Sequence, residues 1–553
     1  MDEVVWKHVV LNAKKYGKAS EKAVIGKVLA ENPELRKNAK EVLDRIRQVI
    51  AEFENLSEDE KEELFSRYSE DKKETRKSYQ LPPLPNAERG EVVMRFAPNP
   101  NGPPTLGSAR GIIVNSEYAR MYDGKFILRF DDTDPRTKRP LLEAYDWYLE
   151  DCEWLNARPD EIVYASKRIG MYYDYAVRLI EMSHAYVCRC PRDEFKRYRD
   201  AGMACPHRNR SAEENLEDWE KMLGGEYAEG EAVLRIKTDM SHRDPAVRDW
   251  VAFRIIFSDH PLVGDEYVVY PTLDFESAIE DHVLGVTHIL RGKDLADSEK
   301  RQRYIYQYFG WDYPVVRHWG RVKIHEFGKL STSEIRKKIE EGVYAGWDDP
   351  RLPTIKALRR RGFEAEAIRK FFLSLGVGEN DVSVSLKNLY AENRKIVDEK
   401  AERYFFVWSP VRIEIEGMEA VEDIELPLHP SRNIGTRKLR GERVVYITRD
   451  DYESFKGREV RLKGFCNVKI QENGKAVYLG DEIEEARKGR NIIHWLPESQ
   501  AVRCEVLTPD GKVEGFAESN VRGAVNSVVQ FERYAFCRVE EVERGVRAVY
   551  THP

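Results

Sequence analysis

Between Val92 and Phe130 two apolar runs, Val92–Phe96 and Phe126–Phe130, flank a helix-length stretch from about Ala109 to Met121. That alternation constrains the fold more than any other feature of the chain. Two strands joined by a helical crossover lie parallel in one sheet, because the helix carries the chain back to the end where the first strand began, whereas a hairpin turn leaves its strands antiparallel. The expectation for this region is therefore a parallel, doubly wound, Rossmann-type sheet. The pattern loosens between roughly 186 and 266, and strand and helix signals return at Tyr267–Tyr270 and Ile279–Leu290.

The flanking regions have other periods. Residues 1–85 read as helical and highly charged, with Val42, Leu43, Ile46, Val49 and Ile50 on one face, up to the proline cluster Leu81-Pro-Pro-Leu-Pro85. Helical spacing appears again in Ile368, Phe371, Phe372 and Leu375. After about 408 the period becomes two: Val502, Cys504 and Val506 alternate with Arg503 and Glu505, and Asn473-Gly474 and Asp510-Gly511 supply hairpin turns. At 553 residues the chain is long enough for several cores. Its net charge of −7 neither advertises nor excludes a nucleic-acid partner, since local basic patches hide in an overall balance. No run approaches the roughly 20 apolar residues of a membrane span, and the start lacks the features of a signal peptide. A cytoplasmic protein without membrane partners is expected.

Three clusters carry chemistry. Arg95-Phe-Ala-Pro-Asn-Pro-Asn-Gly-Pro-Pro-Thr-Leu-Gly-Ser-Ala-Arg-Gly111 follows a strand and opens a helix, whose N-terminus is a natural seat for phosphate. Gly328-Lys-Leu-Ser-Thr-Ser-Glu-Ile335 offers a lysine and hydroxyls that can grip polyphosphate, or simply cap a helix. Cys188-Arg-Cys190 and Cys205-Pro-His207 are two close pairs of soft ligands, as tetrahedral structural Zn2+ requires. With seven cysteines and no sign of export, metal ligation is favoured over disulfides.

The first two clusters resemble, in order and spacing, the two signatures of class I aminoacyl-tRNA synthetases. Further segments are similar to the glutamyl/glutaminyl branch: Leu128-Arg-Phe-Asp-Asp-Thr-Asp-Pro135, Asp281–His288, Gly346–Thr354, Ile493-His-Trp495 and Val529–Arg533. The resemblance, which runs from about residue 90 to the C-terminus, is to the archaeal and eukaryotic type of glutamyl enzyme. It implies a catalytic domain over 86–185 and 267–330 and an acceptor-binding insertion, bearing the zinc cluster, over 186–266. It also implies a helical stem-contact domain over 331–407 and two anticodon-binding β-barrels over 408–553.

The resemblance also implies roles. Pro104, Thr105, Gly107, Ser108, Lys329, Leu330 and Ser331 would bind ATP with Mg2+, and Thr105, Ser108, Lys329 and Ser331 would act on its phosphates. Thr105 and Ser108 stand where the family usually has histidines, and Thr332 where it has a second lysine. Arg95 and Asn99 would line the amino-acid pocket, and Asp131 would hold the substrate ammonium. Arg291 would pair with an acidic side chain, where glutaminyl enzymes usually have a small uncharged residue. A buried guanidinium suits a carboxylate and is left unpaired by an amide, so L-glutamate is expected. Where the family often has a tyrosine after Pro-Thr, this chain has Leu273. Arg359, Arg360 and Arg361 are expected on tRNA phosphates. Enzymes that combine a glutamyl core with glutaminyl-like barrels often charge tRNA(Gln) as well as tRNA(Glu), with an amidotransferase as partner, and that range is part of the expectation. The alternatives are a glutaminyl enzyme and a catalytically inactive tRNA-binding relative.

Overall fold

The computed structural model describes residues 2–16, 18–32, 35, 38–57, 60–61, 64–65, 81–327, 331–418, 423–482 and 491–553. It divides into two units, residues 1–80 and 81–553. The first is built from helices Asp2–Tyr16, Glu21–Glu31 and Ala39–Glu54. Val42, Ile46, Val49 and Phe53 line the buried face of the last, against Val5, Val9, Val24 and Val28, while Leu43 and Ile50 are half-buried at its margin.

In the second unit the parallel sheet begins with β1 (Val93–Phe96), β2 (Lys125–Phe130) and β3 (Glu161–Tyr164), paired in the order β1-β2-β3. The helix Leu106–Met121 crosses from β1 to β2, and Leu142–Trp154 crosses from β2 to β3. Gly111 is required at this crossover, because a Cβ there would sit 2.3 Å from the Phe96 ring.

The chain then leaves the sheet. β4 (Ala185–Cys188), β5 (Val233–Ile236), β6 (Val251–Ile255) and β7 (Val269–Pro271) form a separate antiparallel sheet in that order. It returns with β8 (His288–Gly292) and β9 (Val315–Trp319), a parallel pair. Thr287 N donates to Val93 O at 3.1 Å and docks β8 beside β1. The strand order is thus β3-β2-β1-β8-β9, which reverses direction between β1 and β8. Ligands of such sheets bind outside the carboxyl ends of the strands at that reversal.

Helices Ile355–Arg360, Ala365–Leu375 and Leu386–Val397 follow. Ile355, Leu358, Ile368, Phe371 and Phe372 share one core with Leu106, Ile112 and Ile113 of the first crossover helix, so the helical region is packed on the parallel sheet. Beyond it lie two seven-stranded sheets. Arg403–Tyr404 and Phe406–Trp408 form the edges of one sheet, residues 410–497 build the other, and the chain returns at Ala501–Thr508 to complete the first. Both turns read from the sequence are present: Gly474 and Gly511 have φ of 75° and 133° between antiparallel partners. No described helix is long and apolar enough to cross a membrane.

Candidate active site

At the carboxyl ends of β1 and β8, where the strand order reverses, Arg95, Asp131 and Arg291 line one cavity of about 180 Å3, with Ser277, Gln302, Leu273 and Trp319. Drug-sized sites begin at roughly 300 Å3, so this cavity suits a small substrate. Three residues expected in an amino-acid pocket therefore come together from 95, 131 and 291. The fourth, Asn99, acts from behind: its Nδ2 donates to Asp131 O at 3.0 Å and fixes the backbone that carries the carboxylate.

Beneath the cavity is a buried ion network. Arg129, fully buried at the heart of β2, donates from Nε to Asp131 Oδ1 at 2.7 Å and from Nη1 to Asp281 Oδ1 at 2.7 Å. Arg95 donates to both Asp281 oxygens, at 3.0 and 3.2 Å. Burial pushes the Asp281 carboxyl up, but Arg95 and then Arg129 overcome it and hold it down at about 2. Arg291 is different. It is 5% exposed and finds only the neutral Gln302 Oε1, at 3.1 Å, while its Nε has no partner among the described residues. Asp281 lies close enough to feel the Arg291 charge, but no described carboxylate forms an ion pair with Arg291. A buried guanidinium without a bonded anion is costly, and a ligand carboxylate would complete it.

The nucleotide signature lies beside this pocket. Thr105 is the N-cap of helix Leu106–Met121: its hydroxyl accepts from Ser108 N at 3.4 Å and lies 3.5 Å from Ser108 Oγ. The strand-like segment is clamped from behind, with Leu106 N donating to Pro353 O and Ile355 N to Pro104 O, both at 2.9 Å. Gly102 brings the two signatures together, since a Cβ there would lie 2.4 Å from Thr332 Cγ2 and 3.0 Å from the Trp347 ring. At Gly107 the nearest atom to an added Cβ is Thr105 Oγ1 at 3.6 Å. The protein's own packing does not demand glycine there, and the space is available to a ligand. Ser331 caps helix Thr332–Glu340 by accepting from Glu334 N at 3.2 Å. Lys329 and Leu330 lie outside the described residues.

Cys188, Cys190, Cys205 and His207 converge: their ligand atoms all lie within 4.8 Å of one another, with Cys188 and Cys205 sulfurs 4.0 Å apart and Cys190 Sγ 3.3 Å from His207 Nδ1. Metal–sulfur bonds of about 2.3 Å in a tetrahedron need ligand spacings of that order, so the donor set fits zinc.

The arginine run is divided by the fold, and one of the three expectations fails. Arg361 is 0% exposed and spent on the carbonyls of Tyr550 and Thr551, at 3.1 and 2.8 Å. It fastens the helical region to the last strand and does not reach a phosphate. Arg360 is engaged by Glu540 at 2.8 and 3.0 Å. Arg359, paired with Asp151 at 2.9 Å with a third of its side chain exposed, is the more open of the two and lines one surface cleft with Arg360.

A second cavity, of about 370 Å3, lies where the two seven-stranded sheets and the two-stranded pair Asp423–Pro427 and Thr436–Arg440 meet, and is lined by Arg403, Phe405, Arg437, Lys463, Gln530 and Glu532. Arg437 is 2.7 Å from the buried Glu518 and 3.4 Å from Glu532, which Lys463 also engages. Nearby, His494 Nε2 meets Phe406 O at 2.7 Å, and Arg533 binds both oxygens of Asp451, at 2.7 Å each, beside His494. The segments 493–495 and 529–533 thus meet at the junction of the sheets. Arg403, Arg437 and Lys463 escape sequence reading, because they come from separate segments of the chain, 26 to 60 positions apart, and nothing in the sequence marks that they meet.

Residues 91–399 match the family described as tRNA synthetases class I (E and Q), catalytic domain. The chain belongs to this family. The anticodon-binding domains of the same E and Q class match residues 401–483 and 492–540, so the two seven-stranded sheets are the anticodon-binding region of a class I synthetase. A protein named glutamate–tRNA ligase from Archaeoglobus fulgidus is 66% identical to this synthetase over the full length of both chains. Those of Methanosarcina acetivorans and Pyrococcus furiosus are 53% and 51% identical, covering 100% of this chain and 98% and 100% of theirs.

Proposed function

We propose that this synthetase joins L-glutamate to the 3′-terminal adenosine of tRNA at the expense of ATP. The observation that carries the amino acid is Arg291, a buried guanidinium at the switch-point cavity that has no carboxylate bonded to it among the described residues. A glutamate side chain supplies that anion, whereas glutamine would leave the charge unmatched. The names of the full-length relatives support the same reading.

In this reading Asp131, oriented by Arg129 and Asn99, holds the substrate ammonium, and the α-carboxylate attacks the α-phosphate of ATP with departure of pyrophosphate. Mg2+ on the ATP phosphates neutralises their charge. The N-terminus of helix Leu106–Met121, the hydroxyls of Thr105 and Ser108, and Ser331 with Lys329 of the second signature hold the triphosphate, where catalysis is mostly positioning and charge stabilisation. The terminal adenosine 2′-hydroxyl then attacks the adenylate carbonyl and AMP leaves. Cys188, Cys190, Cys205 and His207 would hold Zn2+, which would stiffen the insertion that takes the acceptor end. Arg359 meets tRNA phosphate, and the cavity between the two sheets takes splayed anticodon bases, whose edges duplex RNA hides. The reaction belongs in the cytoplasm, where its substrates are.

Both tRNA(Glu) and tRNA(Gln) are charged in this account, with Glu-tRNA(Gln) passed to an amidotransferase. Charging of each pure tRNA with labelled glutamate or glutamine tests all of it. Glutamate on both tRNAs is expected. Glutamine on either, or no product with glutamate, contradicts the reading. Chelation should lower charging and loosen residues 186–266 first.

A further inference from the structure

We propose that Glu276 is a positioning residue of the amino-acid pocket, a carboxylic acid that serves Asp131 as a neutral hydrogen-bonding neighbour rather than as a second anion. The inference rests on the glutamate reading of the cavity above.

Glu276 lies on the helix Leu273–Val283 and is 1% exposed. Thr133 Oγ1 donates to its Oε2 at 2.9 Å, and its Oε1 meets no partner among the described residues. Each nearby guanidinium is engaged elsewhere. Arg129 is divided among Asp131, Asp281 and Ser277, Arg95 holds Asp281, and Arg168 holds Glu280 at 3.1 Å. The other titratable groups that face it are Asp131, just beyond the end of β2, and Tyr172 from the helix Ile169–Glu181, with Glu280 one turn on along its own helix. Tyr172 donates to Glu280 at 2.5 Å, so it gives Glu276 no proton.

An ionised carboxylate in that position would be buried, unpaired and beside a second anion, which a carboxyl avoids by keeping its proton. Burial first, and then the Asp131 charge, push Glu276 well above the usual carboxylate range, with Arg129 opposing. The proton gives the group a donor to aim at Asp131 while Thr133 holds its other oxygen. It also sets the charge of the site. Three guanidiniums, Arg95, Arg129 and Arg291, then face two carboxylates, Asp131 and Asp281, and one positive charge remains. Glutamate enters with one ammonium and two carboxylates, one net negative charge, and the two cancel. An ionised Glu276 would remove the match before substrate arrived.

The test is tRNA charging by the full-length wild type, Glu276→Gln and Glu276→Ala, with glutamate and ATP varied separately. Glutamine keeps the shape, the donor and the neutrality, so Glu276→Gln should keep its KM for glutamate and its kcat within about threefold of wild type. Glu276→Ala should raise KM for glutamate at least tenfold and leave KM for ATP within twofold. The proposal is overturned if Glu276→Gln is as damaged as Glu276→Ala, which would mean that the anion is needed. It is equally overturned if Glu276→Ala matches wild type, or if it raises both KM values alike, as a general loss of structure would. A wild-type enzyme that fails to charge with glutamate refutes the reading of the pocket instead, before any variant is compared.

Discussion

The amino-acid pocket and the cavity between the two β-sheets are built from the same materials and balanced differently. Each sets buried arginines against buried acids. In the inter-sheet cavity every cation has a carboxyl within ion-pair distance: Arg437 has Glu532 at 3.4 Å and Glu518, whose carboxyl burial pushes up to about 8, Lys463 has Glu532, and Arg403 has Asp398 at 2.5 Å. In the pocket Arg129 and Arg95 have such partners, and Arg291 has none among the described residues. A site that binds an anion must leave a charge open. One that reads neutral base edges must close its charges, or pay a desolvation cost with every ligand. The imbalance, more than the presence of arginine, marks the substrate pocket.

That contrast can be broken in graded steps. The largest effect is expected for Arg129→Met, which removes the cation shared by Asp131 and Asp281. Leaving buried charges uncompensated costs about 3–5 kcal/mol, so denaturant unfolding should show a loss of that size, together with loss of glutamate activation. The β-sheets should respond instead to acid. Burial, reinforced by Arg533, drives His494 down to about 4 from its usual 6.5. Between those values the unfolded chain binds the proton and the folded one does not, so stability is full above 6.5 and is lost as pH falls towards 4. Gln does not titrate in this window, so in His494→Gln acid unfolding of the C-terminal region should lose up to about 3 kcal/mol of pH dependence. The smallest effect belongs to Arg359→Ala. Asp151 behind it is buried and its carboxyl is pushed up to about 6, so losing the cation leaves a buried carboxyl that can take up a proton. Stability should fall by about 1–3 kcal/mol, while the salt dependence of tRNA binding falls by roughly one charge. An unchanged salt slope would remove Arg359 from the tRNA interface.

Much of this was legible in the sequence, for physical reasons. The βαβ alternation exposes a parallel sheet because buried strands and amphipathic helices have different periods, and Asn473-Gly474 and Asp510-Gly511 announce hairpins because those turns need positive φ. The metal cluster is local in sequence, and so it was visible. Arg359, Arg360 and Arg361 show the limit. Adjacent residues look alike in a sequence, but a helix end turns one towards Asp151, one to Glu540 and one into the core against Tyr550. Glu276 was hidden for a related reason: an acidic residue in the first turn of a helix reads as an ordinary favourable charge near its N-terminus. Only the fold shows that this one faces Asp131 rather than water. The strands at 403–408 were hidden by brevity, since two- and three-residue runs at the edge of a sheet carry no detectable period.

The decisive measurement is the ratio of kcat/KM for glutamate over glutamine in tRNA charging, for wild type and for Arg291→Ser. A site whose open guanidinium demands a carboxylate should favour glutamate by about 10,000-fold or more in the wild type. Arg291→Ser should erase at least 100-fold of that preference through glutamate alone, with KM for ATP unchanged. Glutamate kinetics that survive the substitution intact would contradict the account.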